Sequence, residues 1–418
     1  MNAEIIAVGS EMLTPSRLDT NSLFLTRKLG ELGIDVVRKV IVGDDLARLT
    51  EEVRRALAAS EIVVMTGGLG PTLDDLSREA ASGATGRGLA IDPAIVEWLE
   101  ARFRRAGRAM VDSNRRQAYV LDGAEVLPNP RGTAPGQWLR LDGRALILLP
   151  GPPRELEPMF ENECLPRLRT LPSPYRYHTF SLRIALLPES EVDERIAPIY
   201  SPEPQVMTTI LAAPGDIQVH LKARAESEEE ARAIAEALGR KVDAELGDAV
   251  FSHANEVLEE AVGRLLRERG QTLAAAESCT GGLLAEKITA FPGSSDYFTG
   301  SFVTYTNEAK TNWLGVDAAL IERHGAVSAE TAEAMARAVR EKACSTYGLS
   351  ITGFAGPTGG TEQAPVGTVF IGLADGNTVS VLRRRFGSER DRVRMLAALH
   401  ALEMLRRKIL NLPDLQSS

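Results

Sequence analysis

A serine follows an apolar run in the stretch AAAESCTGG, residues 274–282. The run predicts a buried strand ending near Glu277, with a helix that starts between Thr280 and Gly282. A hydroxyl at such a strand-to-helix turn should project at the carboxyl edge of a sheet, where glycine amides can face a developing oxyanion. Ser278 is therefore a candidate nucleophile. The structural alternative is that Ser278 or Thr280 only caps the helix.

A serine nucleophile needs a base, and histidine is poorly placed for that role. All five histidines lie outside glycine-rich turns, and the absence of a G-x-S-x-G elbow disfavours a Ser-His-Asp triad. The stretch SFVTYTNEAK instead supplies Tyr305 at the end of a predicted strand and Lys310 one turn into the next helix. A lysine shielded from water loses proton affinity and can act as a base. The structural alternatives are a solvated lysine and a core tyrosine with its hydroxyl outward.

Two further turns carry residue types that suit a phosphate or a ribose. ITGFAGPTGG ends another predicted strand, and its small residues would let backbone donors contact a ligand. The final helix opens with FGSERDRVR, where the guanidinium groups of Arg390 and Arg392 stand beside helix-start amides. Either arginine could instead be solvated, and Ser388 with Asp391 has the spacing of a capping box.

A glycine-rich turn also occurs near the N-terminus, in MTGGLGPTLDD at residues 65–75. It follows the apolar strand EIVV and precedes a helix, so its backbone could approach a phosphate closely. Asp74 and Asp75 are predicted in the first turn of that helix, where carboxylates suit the helix dipole and also a hard divalent cation. A tight turn with capping aspartates is the structural alternative. The stretches LLPGPPREL and VGSEM end two more strands in the same way, and we expect the three turns to converge on one crevice.

Hydrophobic patterning predicts an α/β protein of three domains. Residues 1–171 alternate apolar runs with amphipathic segments, which is typical of a doubly wound, mainly parallel sheet. Residues 176–251 show a small α+β pattern that resembles a KH-like connector, but they lack the G-x-x-G loop that clamps a nucleic-acid backbone. Residues 255–413 return to βα alternation and predict a C-terminal α/β sandwich. Prolines 172 and 174 mark the first boundary.

Composition narrows the functional class. The net charge of -9 disfavours a nucleic-acid surface, which needs surplus lysine and arginine. Three scattered cysteines suggest neither a disulfide framework nor a C-x-x-C metal site, and they suit a reducing cytoplasm. The start MNAEIIAVGSEM does not resemble a signal peptide, and no stretch reaches the roughly 18 apolar residues of a membrane span. We expect a cytoplasmic protein that acts on small molecules, without membrane or nucleic-acid partners.

The front motifs VGSEML, LDTNSLFL, TGGLGPTLDDLSREA and LLPGPPRELEPMF resemble the molybdopterin-biosynthesis-like domain of the competence/damage-inducible protein A (CinA) family. This resemblance implies metal-dependent hydrolysis of ADP-ribose to AMP and ribose 5-phosphate. Related domains bind a pterin at a similar turn, so a binding role without turnover is the alternative. We expect Mg²⁺ or Co²⁺, with potassium as a further candidate. The expected cation ligands are Asp74, Asp75, Glu11, Asp19 and Glu155, and the expected substrate contacts are Gly67, Gly68, Gly70, Thr72 and Asn21.

Later motifs, AESCTGG, FVTYTNEAK, GAVS, ITGFAGPTGG, PVGTV and GSERDRVR, occur in order and resemble the CinA C-terminal domain, which is also found alone as nicotinamide mononucleotide (NMN) deamidase. The resemblance implies hydrolysis of the NMN amide to nicotinic acid mononucleotide and ammonia, with no cofactor. By motif position, Ser278 is the nucleophile, and Tyr305 and Lys310 are the proton-handling pair. The expected substrate contacts are Glu277, Thr280, Gly281, Thr352, Gly353, Ala355, Gly356, Arg390 and Arg392.

Together the two resemblances predict a bifunctional hydrolase of pyridine-nucleotide salvage, because NMN and ADP-ribose both arise from NAD breakdown. We expect the protein to be a homodimer. The alternative from another class is a ligand-binding or DNA-uptake accessory protein, suggested by the competence name of the family. The acidic charge counts against that alternative.

Overall fold

The computed structural model describes residues 1–171 and 175–416. Its contacts divide the chain into two compact units, one of Met1–His178 with Arg224–Ala231 and one of Thr179–Ala223 with Arg232–Ser418. The boundary predicted at prolines 172 and 174 lies outside the described residues. The architecture is mixed α/β, as the alternation of apolar runs and amphipathic segments predicts.

The first unit contains a six-stranded sheet. Its strands are β1 (Asn2–Val8), β2 (Asp35–Val42), β3 (Ile62–Thr66), β6 (Ala124–Leu127), β7 (Gly136–Leu141) and β8 (Arg144–Leu149). A separate two-stranded sheet pairs β4 (Leu89–Ile91) with β5 (Tyr119–Leu121). The helices are α1 (Thr20–Glu31), α2 (Leu46–Ala59), α3 (Ser77–Thr85), α4 (Pro93–Arg105), α5 (Pro153–Met159) and α6 (Leu165–Arg169). The order is β2-β1-β3-β8-β7-β6, in which the first four strands are parallel. The parallel part was predicted from the sequence, whereas the antiparallel β6 and β7 were not.

Both faces of this sheet are covered by apolar side chains. Leu25 of α1 and Leu156 of α5 pack with Ile5 and Val64 on one face. Val53 of α2 belongs to the cluster on the opposite face. Strand β3 is buried at every residue, which is the pattern expected for a central parallel strand between two helical layers. The sheet is thereby held rigid at its carboxyl edge.

The connector is a four-stranded antiparallel sheet with two helices. Its elements are β9 (Arg176–Ala185), α7 (Glu189–Tyr200), β10 (Val206–Ala213), β11 (Asp216–Ala225), α8 (Glu228–Leu246) and β12 (Val250–Ser252). The order is β10-β11-β9-β12. All but β12 were predicted; that strand has three residues, too few to show a period.

The C-terminal part is a five-stranded sheet with helices on both faces. Its strands are β13 (Leu273–Glu277), β14 (Phe298–Val303), β15 (Tyr347–Gly353), β16 (Thr368–Ala374) and β17 (Val379–Arg385). Its helices are α9 (Leu258–Glu268), α10 (Leu283–Thr289), α11 (Asn307–Ala309), α12 (Ala318–His324), α13 (Ala329–Ala343) and α14 (Arg390–Leu410). The order is β14-β13-β15-β16-β17, with β14, β13 and β15 parallel. Apolar residues of α9 and α14 pack on one face and those of α13 on the other.

Strand register decides which turns meet at each carboxyl edge. In the C-terminal sheet, Glu277 lies opposite Val303 and Ile351, so the residues that follow these three strands are neighbours. In the first sheet, Thr66 lies opposite Ala7 and Leu149. Each edge therefore gathers turns that are far apart in the sequence, and both sets of candidate site residues lie there.

Candidate active sites

Ser278 and Lys310 are in direct contact. Ser278 follows β13, and its amide still donates to the Ile351 carbonyl of β15 (2.9 Å), so the residue is held by the sheet. The Nζ atom of Lys310 lies 2.9 Å from Ser278 Oγ and 2.9 Å from the Thr304 carbonyl oxygen. Lys310 begins a π-helical turn, not an α-helical one, directly after α11. The side chains of Ser278 and Lys310 are both buried, at 8% and 1% exposed.

Burial changes the acid–base chemistry of Lys310. Desolvation lowers the pKa of its ammonium group to about 8. None of the described carboxylates forms an ion pair with it, and the neighbouring Cys279 offsets the effect of burial only in part. At pH 7, Lys310 is then neutral in about a tenth of the molecules, a far larger fraction than for an ordinary lysine. A neutral amine beside a serine hydroxyl can accept its proton.

The glycine turn after Ser278 differs in detail from the sequence-based prediction. The helix α10 begins at Leu283, and Gly281 and Gly282 both have left-handed backbone, with φ of 60° and 96°. The Gly281 amide donates to the Ser278 carbonyl oxygen (3.1 Å) and closes the turn, so the prediction that it faces a substrate oxyanion is wrong. Among described residues, the amides of Cys279 and Thr280 donate to no other residue.

Glu277 was predicted as a substrate contact, and its position contradicts that role. The side chain is fully buried, and its carboxylate accepts hydrogen bonds from three backbone amides at the start of α10 and from the Ser301 hydroxyl. The amides belong to Gly282 (3.1 Å), Leu284 (3.0 Å) and Ala285 (2.9 Å). A carboxylate at a helix N-terminus is favoured by the helix dipole. Glu277 therefore holds the glycine turn in place through its carboxylate, on the buried side of the turn.

Tyr305 and Arg390 form a second contact pair at the same edge. The Arg390 guanidinium donates to the Tyr305 hydroxyl and to the Gly356 carbonyl oxygen, both at 2.8 Å. Tyr305 lies two residues beyond the end of β14 and is 56% exposed. Its hydroxyl has no hydrogen bond to Lys310 in the structure, so the predicted proton-handling pair is not joined directly.

The N-terminal turns of α14 place alternate arginines on opposite sides. Arg394, which was not predicted, donates to the Thr280 carbonyl oxygen through Nε (3.2 Å) and Nη2 (2.8 Å). Arg392 instead lines a separate cavity of about 450 Å³ together with Leu396 and His400. Residues four apart share one face of a helix, whereas residues two apart do not. Arg394 thus reaches the serine turn and Arg390 reaches Tyr305 at the same sheet edge, whereas Arg392 lies on another side of the helix.

The remaining predicted contacts of this site are mostly structural. The Thr352 hydroxyl is fully buried and donates to the Ala326 carbonyl oxygen (2.6 Å), so it does not face a ligand. Gly353 and Ala355 lie in the interior of the sheet edge, where a side chain at Gly353 would meet the Thr368 carbonyl oxygen at 2.8 Å. Thr280 is buried with a hydroxyl that has no partner among the described residues.

A cavity of about 620 Å³ lies at the carboxyl edge of the first sheet, where the three predicted turns come together. It lies within the first unit and is lined by the ends of β1 and β3 and by the turn that follows β8, which is where ligands bind in open α/β sheets. The predicted residues that line it are Glu11, Asp19, Asn21, Gly67, Gly68, Gly70, Asp75 and Glu155. Thr72 and Asp74 do not belong to its lining.

Asp74 and Asp75 have different environments, and neither lies in a helix. They precede α3, which begins at Ser77, so their predicted position in the first helical turn is wrong. Asp75 accepts hydrogen bonds from the amides of Gly70 (2.7 Å) and Thr72 (2.8 Å) and from the Thr72 hydroxyl, which folds the glycine loop back on itself. Asp74 is exposed, and hydrogen bonding to Thr72 lowers the pKa of its carboxyl group.

Other cavity residues combine structural contacts with unused polar atoms. Asp19 caps α1 by accepting from the Ser22 amide (2.9 Å). Asn21 donates to the Gly151 carbonyl oxygen (2.7 Å), and its Oδ1 atom is buried without a partner among the described residues. Such an atom is costly to leave unpaired, which favours a ligand donor there.

Arg78 lies beneath the glycine loop and was missed by the sequence reasoning. Its side chain is 2% exposed and donates to the Leu69 carbonyl oxygen. Burial lowers the pKa of its guanidinium group to about 10, and its Nε atom has no partner in the described part of the chain. A buried positive charge at this position favours an anionic ligand on the loop. In the sequence, the signal for this residue was its place shortly after the glycine-rich stretch.

The carboxylates of this cavity do not form a ready-made metal centre. Among the described residues, no three His, Cys, Asp or Glu side chains are grouped so that they could hold an ion. Within the described ranges, no hydrogen bond reaches the Glu11 carboxylate, and that of Glu155 accepts from Asn129 (2.9 Å). The residues fit a cation that is shared with ligand phosphates, because Mg²⁺ commonly uses one or two carboxylates together with phosphate oxygens.

Three family descriptions match successive segments of the chain. Residues 4–170 match a probable molybdopterin binding domain, residues 180–252 the damage-inducible protein CinA KH domain, and residues 255–409 the CinA C-terminal domain. A CinA-like protein of Solibacter usitatus (strain Ellin6076) is 50% identical over 98% of this chain and 98% of its own length. The chain belongs to the CinA family.

Other relatives carry names that describe competence. A putative competence-damage inducible protein of Moorella thermoacetica is 43% identical over 98% of this chain and 99% of its own length. A crystal structure of CinA from Thermoplasma acidophilum, described as of unknown function, is 33% identical and covers 38% of this chain and 95% of its own, with a TM-score of 0.37. In the described ranges of the present chain, no helix is long and apolar enough to cross a membrane.

Proposed function

We propose that the C-terminal part of the chain hydrolyses the carboxamide of NMN to nicotinic acid mononucleotide and ammonia. The observation that supports this most directly is the 2.9 Å contact between Ser278 Oγ and the buried Nζ of Lys310. A lysine with a pKa near 8 is a competent general base for a serine hydroxyl. Among the described residues, no histidine contacts Ser278 to compete for this role.

The proposed reaction proceeds through an acyl-enzyme. Neutral Lys310 accepts the Ser278 proton while Oγ attacks the carboxamide carbon, and the carbonyl oxygen becomes an oxyanion. The amides of Cys279 and Thr280, which are free of other acceptors in the described chain, are the available oxyanion donors. The Lys310 ammonium then gives the proton to the leaving nitrogen, and ammonia departs. Water, deprotonated by Lys310, then attacks the acyl carbon, the bond to Ser278 Oγ breaks, and Lys310 returns the proton to Oγ as the acid is released.

Arginines at the start of α14 suit the phosphate of the nucleotide. Arg390 is exposed and held by Tyr305 and Gly356, so its guanidinium is oriented before a ligand arrives. Arg394 lies against the carbonyl of Thr280, beside the nucleophile turn. Guanidinium groups bind phosphate with two hydrogen bonds at once, which fixes orientation as well as charge.

The decisive experiment measures ammonia released from NMN by the full-length protein in the presence of EDTA. Turnover that is abolished by Ser278→Ala supports the deamidase. Tight NMN binding without ammonia release would instead support a binding module.

We propose that the front cavity hydrolyses ADP-ribose to AMP and ribose 5-phosphate. The convergence of three glycine-containing turns and the buried Arg78 support a diphosphate ligand there. Glu11 and Glu155 would hold a divalent cation, which would neutralise the pyrophosphate and activate the attacking water. Formation of AMP with Mg²⁺ or Co²⁺ but not with EDTA tests this proposal, and a binding-only role for a nucleotide or pterin is the outcome if no AMP forms.

We also propose a domain division at residues 1–171, 176–251 and 255–413, a homodimer, and a location in the cytoplasm. Light scattering coupled to size-exclusion chromatography tests the homodimer, for which the expected mass is twice the chain mass of 45.2 kDa. The DNA-uptake role suggested by the names of the relatives is the competing function. Salt-sensitive binding of duplex DNA would support it.

A further inference from the structure

A second cavity, of about 500 Å³ and mainly apolar, lies in the first unit beside the glycine-turn cavity. Its wall includes four prolines, the half-buried Trp98 of α4, and Met159 of α5. Pockets of this size with apolar walls and a few polar groups are the usual form of small-molecule sites. Neither the hydrolytic chemistry proposed above nor the family resemblance uses this cavity.

The two cavities share part of their walls. Glu155 lines both of them. The loop of residues 128–135 contributes Asn129 and Arg131 to the apolar cavity, whereas Thr133 and Ala134 belong to the glycine-turn cavity. One loop and one helix start therefore contribute to the lining of both a polar cavity and an apolar cavity.

This shared wall is fixed by hydrogen bonds. The Asn129 side chain accepts from the amide of Gly132 (2.8 Å) and donates to Ala134 (2.8 Å) and to Glu155 (2.9 Å). Gly132 lies so close to Glu155 that an added Cβ atom would fall 1.8 Å from its carboxylate. The backbone at Gly132 and the Glu155 carboxylate therefore lie close together, and hydrogen bonds within the protein hold this wall in place.

We propose that the apolar cavity binds the planar base of the nucleotide whose diphosphate lies on the glycine turns, with the ligand passing Glu155. This inference rests on the proposed nucleotide chemistry of the front domain. A flat heterocycle gains by packing on an aromatic ring and on proline faces, and Trp98 offers such a ring. The exposed amide of Asn162 at the same wall can both donate and accept, as a base edge requires. The shared lining at Glu155 places this cavity next to the proposed diphosphate position, which favours a base over an apolar side chain of a protein partner.

Calorimetric titration of the full-length protein in EDTA tests the base site without turnover. We expect Trp98→Ala to weaken AMP binding about tenfold, as loss of one stacking contact would, and to leave ribose 5-phosphate binding within about twofold. Trp98→Phe keeps a ring and should retain most of the affinity. Trp313→Ala, which removes an exposed tryptophan of the C-terminal part, is the matched control and should change neither ligand.

Two results would overturn the inference. Unchanged AMP binding in Trp98→Ala would leave the cavity to another occupant, such as a side chain of a partner protein. Equal weakening of AMP and ribose 5-phosphate, with a lowered melting temperature, would show damage to the wall and no base recognition.

Measurement of AMP formation from ADP-ribose in the same variants separates this inference from the proposed hydrolase. Trp98-dependent AMP binding in a protein that never hydrolyses ADP-ribose supports the base site and overturns the hydrolase. Hydrolysis with an unchanged KM in Trp98→Ala supports the hydrolase and overturns the base site.

Discussion

Ser278 and Lys310 are separated by 32 positions in the sequence, and strand register brings them together. Lys310 follows the strand next to β13, so its side chain can reach back across the carboxyl edge to the serine. Its second acceptor, the Thr304 carbonyl, orients the amine while its neutral form is still able to accept a proton. In the proposed mechanism Lys310 is the base and the Thr304 carbonyl is its orienting contact, the two roles that a histidine and a carboxylate have in a serine triad.

The lowered pKa of Lys310 predicts the pH dependence of ammonia release. The base must be neutral, so kcat/KM for NMN should rise as the pH increases and level off above about 8. Lys310→Arg keeps the positive charge at all accessible pH values and should reduce kcat at least about a thousandfold. Initial rates from pH 6 to 9.5 check this, and a flat profile in the parent protein would contradict the assignment.

Glu277 predicts a different kind of effect, because it touches the turn and not the substrate. Glu277→Gln replaces an acceptor for three amides by a group that is half donor, and this should lower the free energy of unfolding by about 1–3 kcal/mol. The displaced turn should also lower kcat about tenfold to a hundredfold with little change in KM. Thermal melts and steady-state kinetics on NMN check both values.

Ser301→Ala is the matched control for Glu277. It removes one hydrogen bond from the same carboxylate (3.2 Å) without touching the glycine turn, so kcat should stay within about twofold. An equal loss of kcat in both variants would show that general destabilisation of the sheet edge, and not the turn, causes the effect.

The sequence predicted the reactive residue types but not which backbone groups they meet. Ser278 was proposed because it lies between an apolar strand and a glycine pair, and Lys310 because no histidine occupies a glycine-rich turn. The donors for an oxyanion were misassigned to Gly281, since only the left-handed backbone at Gly281 and Gly282 decides which amides face outward. Side-chain identity is visible in a sequence, whereas the direction of an N–H group at a tight turn is not.

At the scale of single elements, α14 shows how a helix divides its arginines between two surfaces. Arg390 and Arg394 lie on the side of the serine turn, and Arg392 lines another cavity. The sequence reasoning chose Arg390 and Arg392 from their proximity to the helix start. The period of 3.6 residues would have favoured Arg394 in place of Arg392 had the facing side been known.

This division predicts unequal effects of three otherwise similar substitutions. Arg390→Ala and Arg394→Ala should each raise KM for NMN about tenfold or more, because each removes a cation from the proposed phosphate position. Arg392→Ala removes the same charge from the other side of the helix and should change KM by less than about twofold. Saturation kinetics on NMN for the three variants check this, and equal effects would point to net charge as the cause.

The loop before α3 gives a second contrast between neighbours. Asp75 holds the glycine loop through Gly70 and Thr72, whereas Asp74 is exposed. Asp75→Asn loses part of this acceptor set and should reduce AMP formation from ADP-ribose more than about tenfold. Asp74→Asn should stay within about twofold of the parent rate. The reverse order would make Asp74 the cation ligand and Asp75 a spectator.

The order of strands was predictable to the extent that βα alternation predicts parallel neighbours. β1, β2 and β3 and later β13, β14 and β15 follow that rule because each crossover passes through a helix. The antiparallel strands β6 and β7 were not predicted, since short hairpin strands carry little periodic signal. The start of α3 was placed too early because aspartates that close a loop resemble aspartates that cap a helix.

At the scale of the whole molecule, the described residues proposed for each site belong to one compact unit. The residues that line the glycine-turn cavity all belong to Met1–His178, and Ser278, Lys310 and the arginines of α14 all belong to Arg232–Ser418. The two proposed reactions also differ in their requirements. Amide hydrolysis by a serine and a lysine uses no metal ion, whereas the proposed pyrophosphate hydrolysis needs a divalent metal ion. The described residues proposed for one reaction therefore do not include any that are proposed for the other.

This independence predicts a double separation of activities in the full-length protein. EDTA should abolish AMP formation from ADP-ribose and leave ammonia release from NMN within about twofold, because only the first reaction shares a cation with its phosphates. Ser278→Ala should abolish ammonia release and spare AMP formation, whereas Asp75→Asn should reduce AMP formation more than about tenfold and spare ammonia release. Parallel assays of both products check the four combinations. A loss of ammonia release in EDTA would assign a metal to the serine site and contradict the serine–lysine mechanism, since Lys310 alone would then not suffice to activate Ser278.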